Sequence, residues 1–97
     1  MSKKEKIKDY RKELVEVFVK AAGNKNLMAE FLVDITTPAE FDAFALRWQI
    51  VKKLNKGDTH RSIAGDLGLG ISTVSRGFRE LRNKNGGFHL MLKKLGK

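Results

Sequence analysis

The chain is 97 residues long, of which 41% are hydrophobic, and it has one proline, no cysteine and a formal net charge of +9. This length allows one domain with a modest core, and the lack of cysteine excludes disulfides and thiol nucleophiles. The charge favours an anionic polymer as partner, nucleic acid before a membrane surface, with a merely soluble basic protein as the alternative. No apolar run has the length of a signal peptide or a membrane span, so we expect a cytoplasmic protein with no membrane partner.

Two helices are predicted in the first third of the chain. Apolar residues at spacings of three and four predict a long helix over about residues 4–22 with one apolar stripe. We expect Gly23 and Asn24 to end it through a left-handed C-cap. Asn26 is then expected to cap a short second helix that stops near Asp34.

A third helix has a strong start signal. The hydroxyl of Thr37 is placed to accept from the amide of Glu40, while the Glu40 carboxylate reaches back to the amide of Thr37. Pro38 occupies the first helical position, where its missing N–H costs nothing. The helix that follows has a broad apolar face and is expected to end at Gly57.

The pattern changes between residues 58 and 83, where two short helices are expected to flank a sharp turn. Asp58 or Thr59 caps the first helix, which has about two turns. Gly68 permits the positive φ that an interhelical turn requires. With a short amphipathic helix beginning near residues 85–87, the sequence predicts one all-α domain, residues 1–97, of about six helices.

The second helix of this pair has the pattern of a recognition helix. Its inward residues are expected to be Ile71 or Val74 with Phe78 and Leu81. Small polar residues stay outside near its N-terminus, where short side chains allow close approach to a groove and the positive helix end faces phosphate. The alternative is an ordinary helical hairpin, but Ser and Thr are poor helix formers, and a hairpin without a binding task would more naturally use Glu, Lys and Ala.

Several segments resemble the tryptophan repressor family, and the run at 68–77 is the most specific of them. They cover about half of the chain: Thr37–Glu40, Leu46–Val51, Arg61–Leu67 and Gly68–Gly77. The resemblance implies six helices in an intertwined two-fold homodimer. Residues 1–35 and 85–97 would be the dimerisation helices, and residues 58–83 the helix-turn-helix.

The placement at the start of the second helix and the resemblance together predict the contacts with double-stranded DNA. The candidates are Arg61, Gly70, Ile71, Ser72, Thr73 and Ser75. Arg61 would bind phosphate or a base edge, and the others would face the groove or the backbone. Arg79 and Lys84 are secondary candidates because they are basic residues towards the far end of the same segment.

The resemblance also implies a small-molecule corepressor, L-tryptophan in the family, between the central helix and the recognition helix. Thr37 and Arg76 match the positions that hold its carboxylate, and Arg47 matches the arginine that stacks on the indole. Gly77 matches the glycine that leaves space for the ring. Glu80 falls near a family serine beside the ligand's amino group.

These residues also have simpler interpretations. Thr37 is explained as an N-cap, Arg47 as a solvated helix residue, and Arg76 as a phosphate contact. Glu80 would pair either with a ligand ammonium or with one of the two arginines. Phe78 adds bulk where the family has a small polar residue.

The sequence therefore predicts a transcriptional repressor gated by L-tryptophan or a related corepressor, acting on a palindromic operator. The first alternative is a constitutive DNA-binding protein whose pocket is filled by Phe78 or by a pair between Glu80 and an arginine. The second is a helical protein-interaction adaptor. An enzyme is the least favoured class, because the sequence has no nucleophile–base pair, carboxylate dyad or phosphate loop. His60 and His89 have no ligand-like companions, so no metal site is expected.

Overall fold

The computed structural model describes residues 2–97, and over this range the chain has six helices and no strand. The helices are α1 (Lys3–Ala21), α2 (Lys25–Ile35), α3 (Pro38–Lys56), α4 (His60–Leu67), α5 (Ile71–Leu81) and α6 (Gly87–Lys94). The all-α prediction is confirmed. The chain divides into two compact units, one that ends at Phe41 and one from Asp42 to Lys97, while the single domain over 1–97 stays a prediction. None of the helices in residues 2–97 combines the length and apolarity needed to cross a membrane.

The turn between α1 and α2 differs from its prediction. Ala22 ends α1 in the right-handed region, and Gly23 is not among the glycines with positive φ, so the left-handed C-cap is wrong. The N-cap of α2 is Asn24, whose Oδ1 accepts from the amide of Leu27 at 3.1 Å. Asn26 lies inside α2, because the Asn24 amide bonds back to the carbonyl of Ala21 and the second helix starts directly after this tight turn.

The first unit buries little apolar surface. The rings of Phe18 and Phe31 join α1 to α2 edge to face, with centroids 5.4 Å apart, and Ala21 is the buried residue of α1. Many large apolar side chains of this unit are exposed: Ile7, Tyr10, Leu14, Val15, Val17, Val19, Leu27, Val33 and Ile35. In soluble proteins, large exposed apolar patches mark interaction surfaces.

The predicted start and end of α3 are both confirmed. The Thr37 amide donates to Oε1 of Glu40 at 2.8 Å, and the Glu40 amide donates to Oγ1 of Thr37 at 3.1 Å. The pKa of Glu40 is lowered first by the hydrogen bond from the Thr37 backbone amide to its carboxylate and then by the Thr37 side chain. Gly57 has φ +100° directly after the last residue of α3.

Adjacent residues of α3 anchor the two core clusters of the second unit. Ile50 packs with Ile63, Ala64 and Val74, while Val51 packs with Leu81 and Leu92. Helix α5 contributes Val74 to the first cluster and Leu81, two turns later, to the second. These two contacts fix which face of α5 packs against α3. At the end of α5 the imidazole Nε2 of His89 forms a hydrogen bond with the carbonyl of Leu81, which ties α6 to this helix.

Candidate nucleic-acid interface and ligand cavity

Helices α4 and α5 form the predicted helix-turn-helix. Thr59, one of the two predicted caps, accepts from the amide of Ser62 at 3.1 Å. Gly68 ends α4 at φ +66°, ψ 35°, and its amide donates to the carbonyl of Ala64. This left-handed residue produces the sharp turn before α5, as the sequence predicts.

The N-terminus of α5 is open on its outer side. Its N-cap, Gly70, has extended backbone angles, and no side chain of residues 2–97 caps the helix. The amides of Thr73 and Val74 donate to the Gly70 carbonyl, so the earlier amides of the first turn remain available. Such a helix end carries partial positive charge and suits a phosphate oxygen.

Five of the six predicted DNA contacts are exposed: Gly70, Ile71, Ser72 and Thr73 at the start of α5, and Arg61 in the first turn of α4. Ser75 is half-buried, and its Oγ lies 3.3 Å from Nδ1 of His60. The inward prediction is confirmed for Val74 and Leu81, whereas Phe78 is 41% exposed and Ile71 51% exposed. These two side chains therefore lie outside the core.

The sequence missed the role of His60. Its ring packs against Phe78, with centroids 4.9 Å apart, and its Nδ1 contacts Ser75, so α4 and α5 are joined by an aromatic contact and a hydrogen bond. A signal was present, because Ser75 and Phe78 are three residues apart and share a helical face. The described residues contain no group of His, Asp or Glu side chains that could hold a metal ion.

A cavity of about 440 Å³ lies between α3 and α5 within the second unit. Its lining follows helical spacing on both helices: Ala43, Leu46, Arg47, Ile50 and Val51 from α3, Thr73, Arg76, Gly77 and Glu80 from α5, with Leu69 and Phe88. Four of the five residues predicted to bind a corepressor thus meet here. The fifth, Thr37, lies in the first unit as the cap of α3.

Three charged side chains stand at this cavity. The guanidinium of Arg47 lies 5.6 Å from the centroid of the Phe44 ring, and Arg76 and Glu80 are exposed. The single ion pair of the described chain joins Lys53 to Asp66, at 3.9 Å.

In a constitutive protein, Phe78 or a pair between Glu80 and an arginine would fill this pocket. Neither filling is present in the described residues. Glu80 forms no ion pair with Arg47 or Arg76 in the described residues. Phe78 does not line the cavity, because it packs against His60.

Gly77 has a packing role besides lining the cavity. A Cβ at this position would lie 2.7 Å from Cγ2 of Ile50, closer than real side chains approach. Position 77 therefore requires glycine for the contact between α5 and α3, whatever binds in the cavity.

A basic chain with a helix-turn-helix and an open recognition-helix end belongs to the class of helix-turn-helix DNA-binding proteins. A family model described as "Trp repressor protein" matches residues 11–96. The chain belongs to the Trp repressor family. It is accordingly a DNA-binding transcriptional repressor and not an enzyme, as the sequence predicts.

Curated relatives agree with this assignment. The chain is 33% identical over 86 residues to the Trp operon repressor homolog of Vibrio campbellii, a match that covers 88% of this chain and 84% of the relative. It is 37% identical over 68 residues to the homolog of Vibrio atlanticus, covering 69% of each chain. It is 42% identical over 55 residues to the homolog of Vibrio vulnificus, covering 56% of this chain and 54% of the relative.

Proposed function

We propose that this repressor is gated by L-tryptophan, or by a related small corepressor, bound in the cavity between α3 and α5. The observation that carries the proposal is the lining of this cavity, which combines apolar side chains with Arg47, Arg76 and Glu80. Its volume of about 440 Å³ lies within the range of small-molecule sites. The apolar lining suits an aromatic ring, and an arginine fork suits a carboxylate.

The proposed roles follow from the chemistry of each group. Arg76 binds the ligand carboxylate, and the planar guanidinium of Arg47 stacks on the ring, as it already lies over Phe44. The proposed role of Thr37 in binding the carboxylate is compatible with its capping role. Its oxygen accepts from the Glu40 amide, and its hydroxyl proton would donate to the ligand carboxylate in place of the Glu40 carboxylate.

Gating would act through α5, because this helix carries proposed DNA contacts and also lines the ligand cavity. Thr73 lies in the first turn of α5, where we place DNA contacts, and it also lines the cavity. A ligand that fixes α5 against α3 would therefore fix the helix end presented to DNA. Thermodynamic linkage then requires that ligand and DNA strengthen each other's binding by the same factor.

The proposed DNA contacts are those predicted from the sequence: Arg61, Gly70, Ile71, Ser72, Thr73 and Ser75. Their exposure supports five of them directly. The Ser75 hydroxyl can form a further hydrogen bond with DNA besides its contact with His60, since a hydroxyl both donates and accepts. The glycine N-cap leaves backbone amides for a phosphate.

We also propose a two-fold homodimer, which would place two recognition helices on a palindromic operator. The apolar side chains exposed on α1 and α2 support it, and those of α6 and its C-cap add to them: Leu90, Met91 and Leu95. A second copy of this chain offers the matching apolar surface, because a two-fold interface uses the same patch on both subunits.

Calorimetric titration with L-tryptophan tests the cavity. We expect one ligand per chain, loss of binding in Arg76→Ala, and unchanged binding in Arg79→Ala, which alters an exposed arginine of α5 outside the cavity. If L-tryptophan and related indoles give neither heat nor thermal stabilisation, the corepressor role is wrong.

Gating needs a separate measurement on DNA. A binding site is first selected from random duplexes with ligand present, and its affinity is then measured with and without L-tryptophan. We expect tighter binding with ligand. Equal affinity in both conditions would indicate constitutive repression.

A further inference from the structure

We infer that His60 is a positioning residue for DNA binding, which holds the Ser75 hydroxyl in the direction from which it donates to a phosphate of the DNA backbone. The inference rests on the proposed DNA contact of Ser75 and deepens it. His60 acts in this role through Ser75 alone, across the junction between α4 and α5.

The hydrogen-bond partner of the Ser75 hydroxyl is the first observation. A serine inside a helix commonly bonds back to the carbonyl four residues earlier, which turns its hydroxyl along the helix. Thr36 bonds in this way to the carbonyl of Leu32 at the end of α2. Within the described residues, the Ser75 hydroxyl instead contacts Nδ1 of His60 at 3.3 Å. A side chain of another helix therefore sets its direction.

The fixed orientation of the His60 ring is the second observation. Phe78 packs against this ring with centroids 4.9 Å apart, while Nδ1 contacts Ser75, three residues earlier on α5. Residues at this spacing share a helical face, so one face of α5 fixes both the ring and the direction of Nδ1. A ring held at two points fixes in turn the hydroxyl that it contacts.

The chemistry of the contact suits a phosphate. A phosphate oxygen only accepts hydrogen bonds, so the Ser75 hydroxyl binds it as a donor. When Nδ1 of His60 carries a proton, it donates to Oγ of Ser75 and leaves the hydroxyl proton for the phosphate. Each hydrogen bond in such a chain polarises and strengthens the next. Ser75 also lies one turn after Ile71, on the same face as this proposed DNA contact.

Two substitutions at position 60 separate positioning from packing. His60→Phe keeps a ring against Phe78 and removes Nδ1, whereas His60→Asn removes the ring and keeps an amide atom two bonds from Cβ, as Nδ1 is. Affinity for the selected duplex should fall by about threefold to tenfold in His60→Phe, within the range of one hydrogen bond, and by less in His60→Asn. A purely structural role gives the opposite order, because His60→Asn loses the packing, and that order overturns the inference.

A double-mutant cycle on DNA affinity shows whether His60 acts through Ser75. Ser75→Ala should weaken binding by about the same threefold to tenfold factor, and His60→Phe should add nothing in the Ser75→Ala background. Ser72→Ala is the matched control, because Ser72 is an exposed serine of the same helix without a hydrogen bond to His60. Its effect, whatever its size, should multiply with that of His60→Phe.

The outcomes of the cycle distinguish two failures. If His60→Phe and Ser75→Ala weaken binding independently, the positioning role of His60 is wrong and the DNA contact of Ser75 stands. If Ser75→Ala binds DNA as tightly as the wild type, the proposed contact of Ser75 falls together with the inference.

Discussion

The backbone of Gly77 approaches Ile50 so closely that a Cβ at position 77 would lie 2.7 Å from Cγ2 of Ile50. Ile50 is 2% exposed and belongs to the core cluster beneath the helix-turn-helix. A close-packed core leaves such a side chain little room to move. The contact therefore sets the separation of α3 and α5, the two helices that bound the cavity.

Gly77→Ala should destabilise the protein by about 1–3 kcal/mol, because overpacking outweighs the better helix propensity of alanine. Denaturant unfolding measures the change. Gly65→Ala in α4 is the control, because a Cβ there meets no atom within 4 Å. It should stabilise the protein by about 0.5–1 kcal/mol. Equal effects of the two substitutions would contradict the packing role of Gly77.

The contact between His60 and Ser75 should couple α4 to α5. In a double-mutant cycle of His60→Ala and Ser75→Ala, we expect a coupling of about 0.5–1.5 kcal/mol, the net value of a hydrogen bond. Ser72→Ala, an exposed serine of the same helix, should combine additively with His60→Ala. Additivity in the first pair would show that the contact does not contribute to stability.

Arg61→Ala should weaken DNA binding by a similar factor for all sequences if Arg61 binds phosphate. Each phosphate contact contributes about one unit to the slope of log affinity against log salt, so the slope should become shallower by about one. Fluorescence anisotropy over a series of salt concentrations measures it. Lys25→Ala in α2 should keep the wild-type slope. A loss of affinity confined to one base position would instead make Arg61 a base contact.

Glu40 should contribute more to stability where its carboxylate is ionised than where it is protonated. Hydrogen bonds from Thr37, first of all the backbone bond, hold the pKa of Glu40 below its ordinary value of 4.5. A lowered folded-state pKa stabilises the protein above the unfolded value, and this contribution is lost as the pH falls through the folded value.

Glu40→Gln keeps an acceptor for the Thr37 amide but does not titrate. The stability advantage of the wild type over this variant should be constant well above pH 4.5 and should shrink below it. Unfolding measured across this range checks the direction. An advantage that grew as the pH fell would contradict the assignment.

Val33→Asp tests the proposed homodimer. Val33 is 63% exposed, so a charge there should be tolerated in a monomer but should oppose burial against a second copy. Sedimentation equilibrium should show a wild-type dimer and a shift towards monomer in the variant. Asp34→Asn, at the neighbouring exposed position, should stay dimeric. A monomeric wild-type chain at micromolar concentration would exclude the dimer.

The sequence by itself determined the helices and most of their ends, because these depend on residues within one turn. The bonds between Thr37 and Glu40, the Thr59 cap and the positive φ of Gly57 and Gly68 all follow from local chemistry. The predicted start of α2 was wrong, because Asn24 and Asn26 are both suitable N-caps and the turn that follows α1 places Asn24 at the cap. The residues for DNA and ligand were proposed with the help of the family resemblance, since local patterns carry no distances between helices.

Only the tertiary structure decided which faces of the helices meet. Periodicity left Ile71 and Val74 as alternatives and placed Phe78 inward, but the packing of α5 on α3 buries Val74 and leaves Phe78 against His60. The same packing brings Gly77 onto Ile50 and places Arg47, Arg76 and Glu80 around one cavity. The physical reason is that these contacts join residues distant in sequence, whose approach depends on how the whole core fills its space.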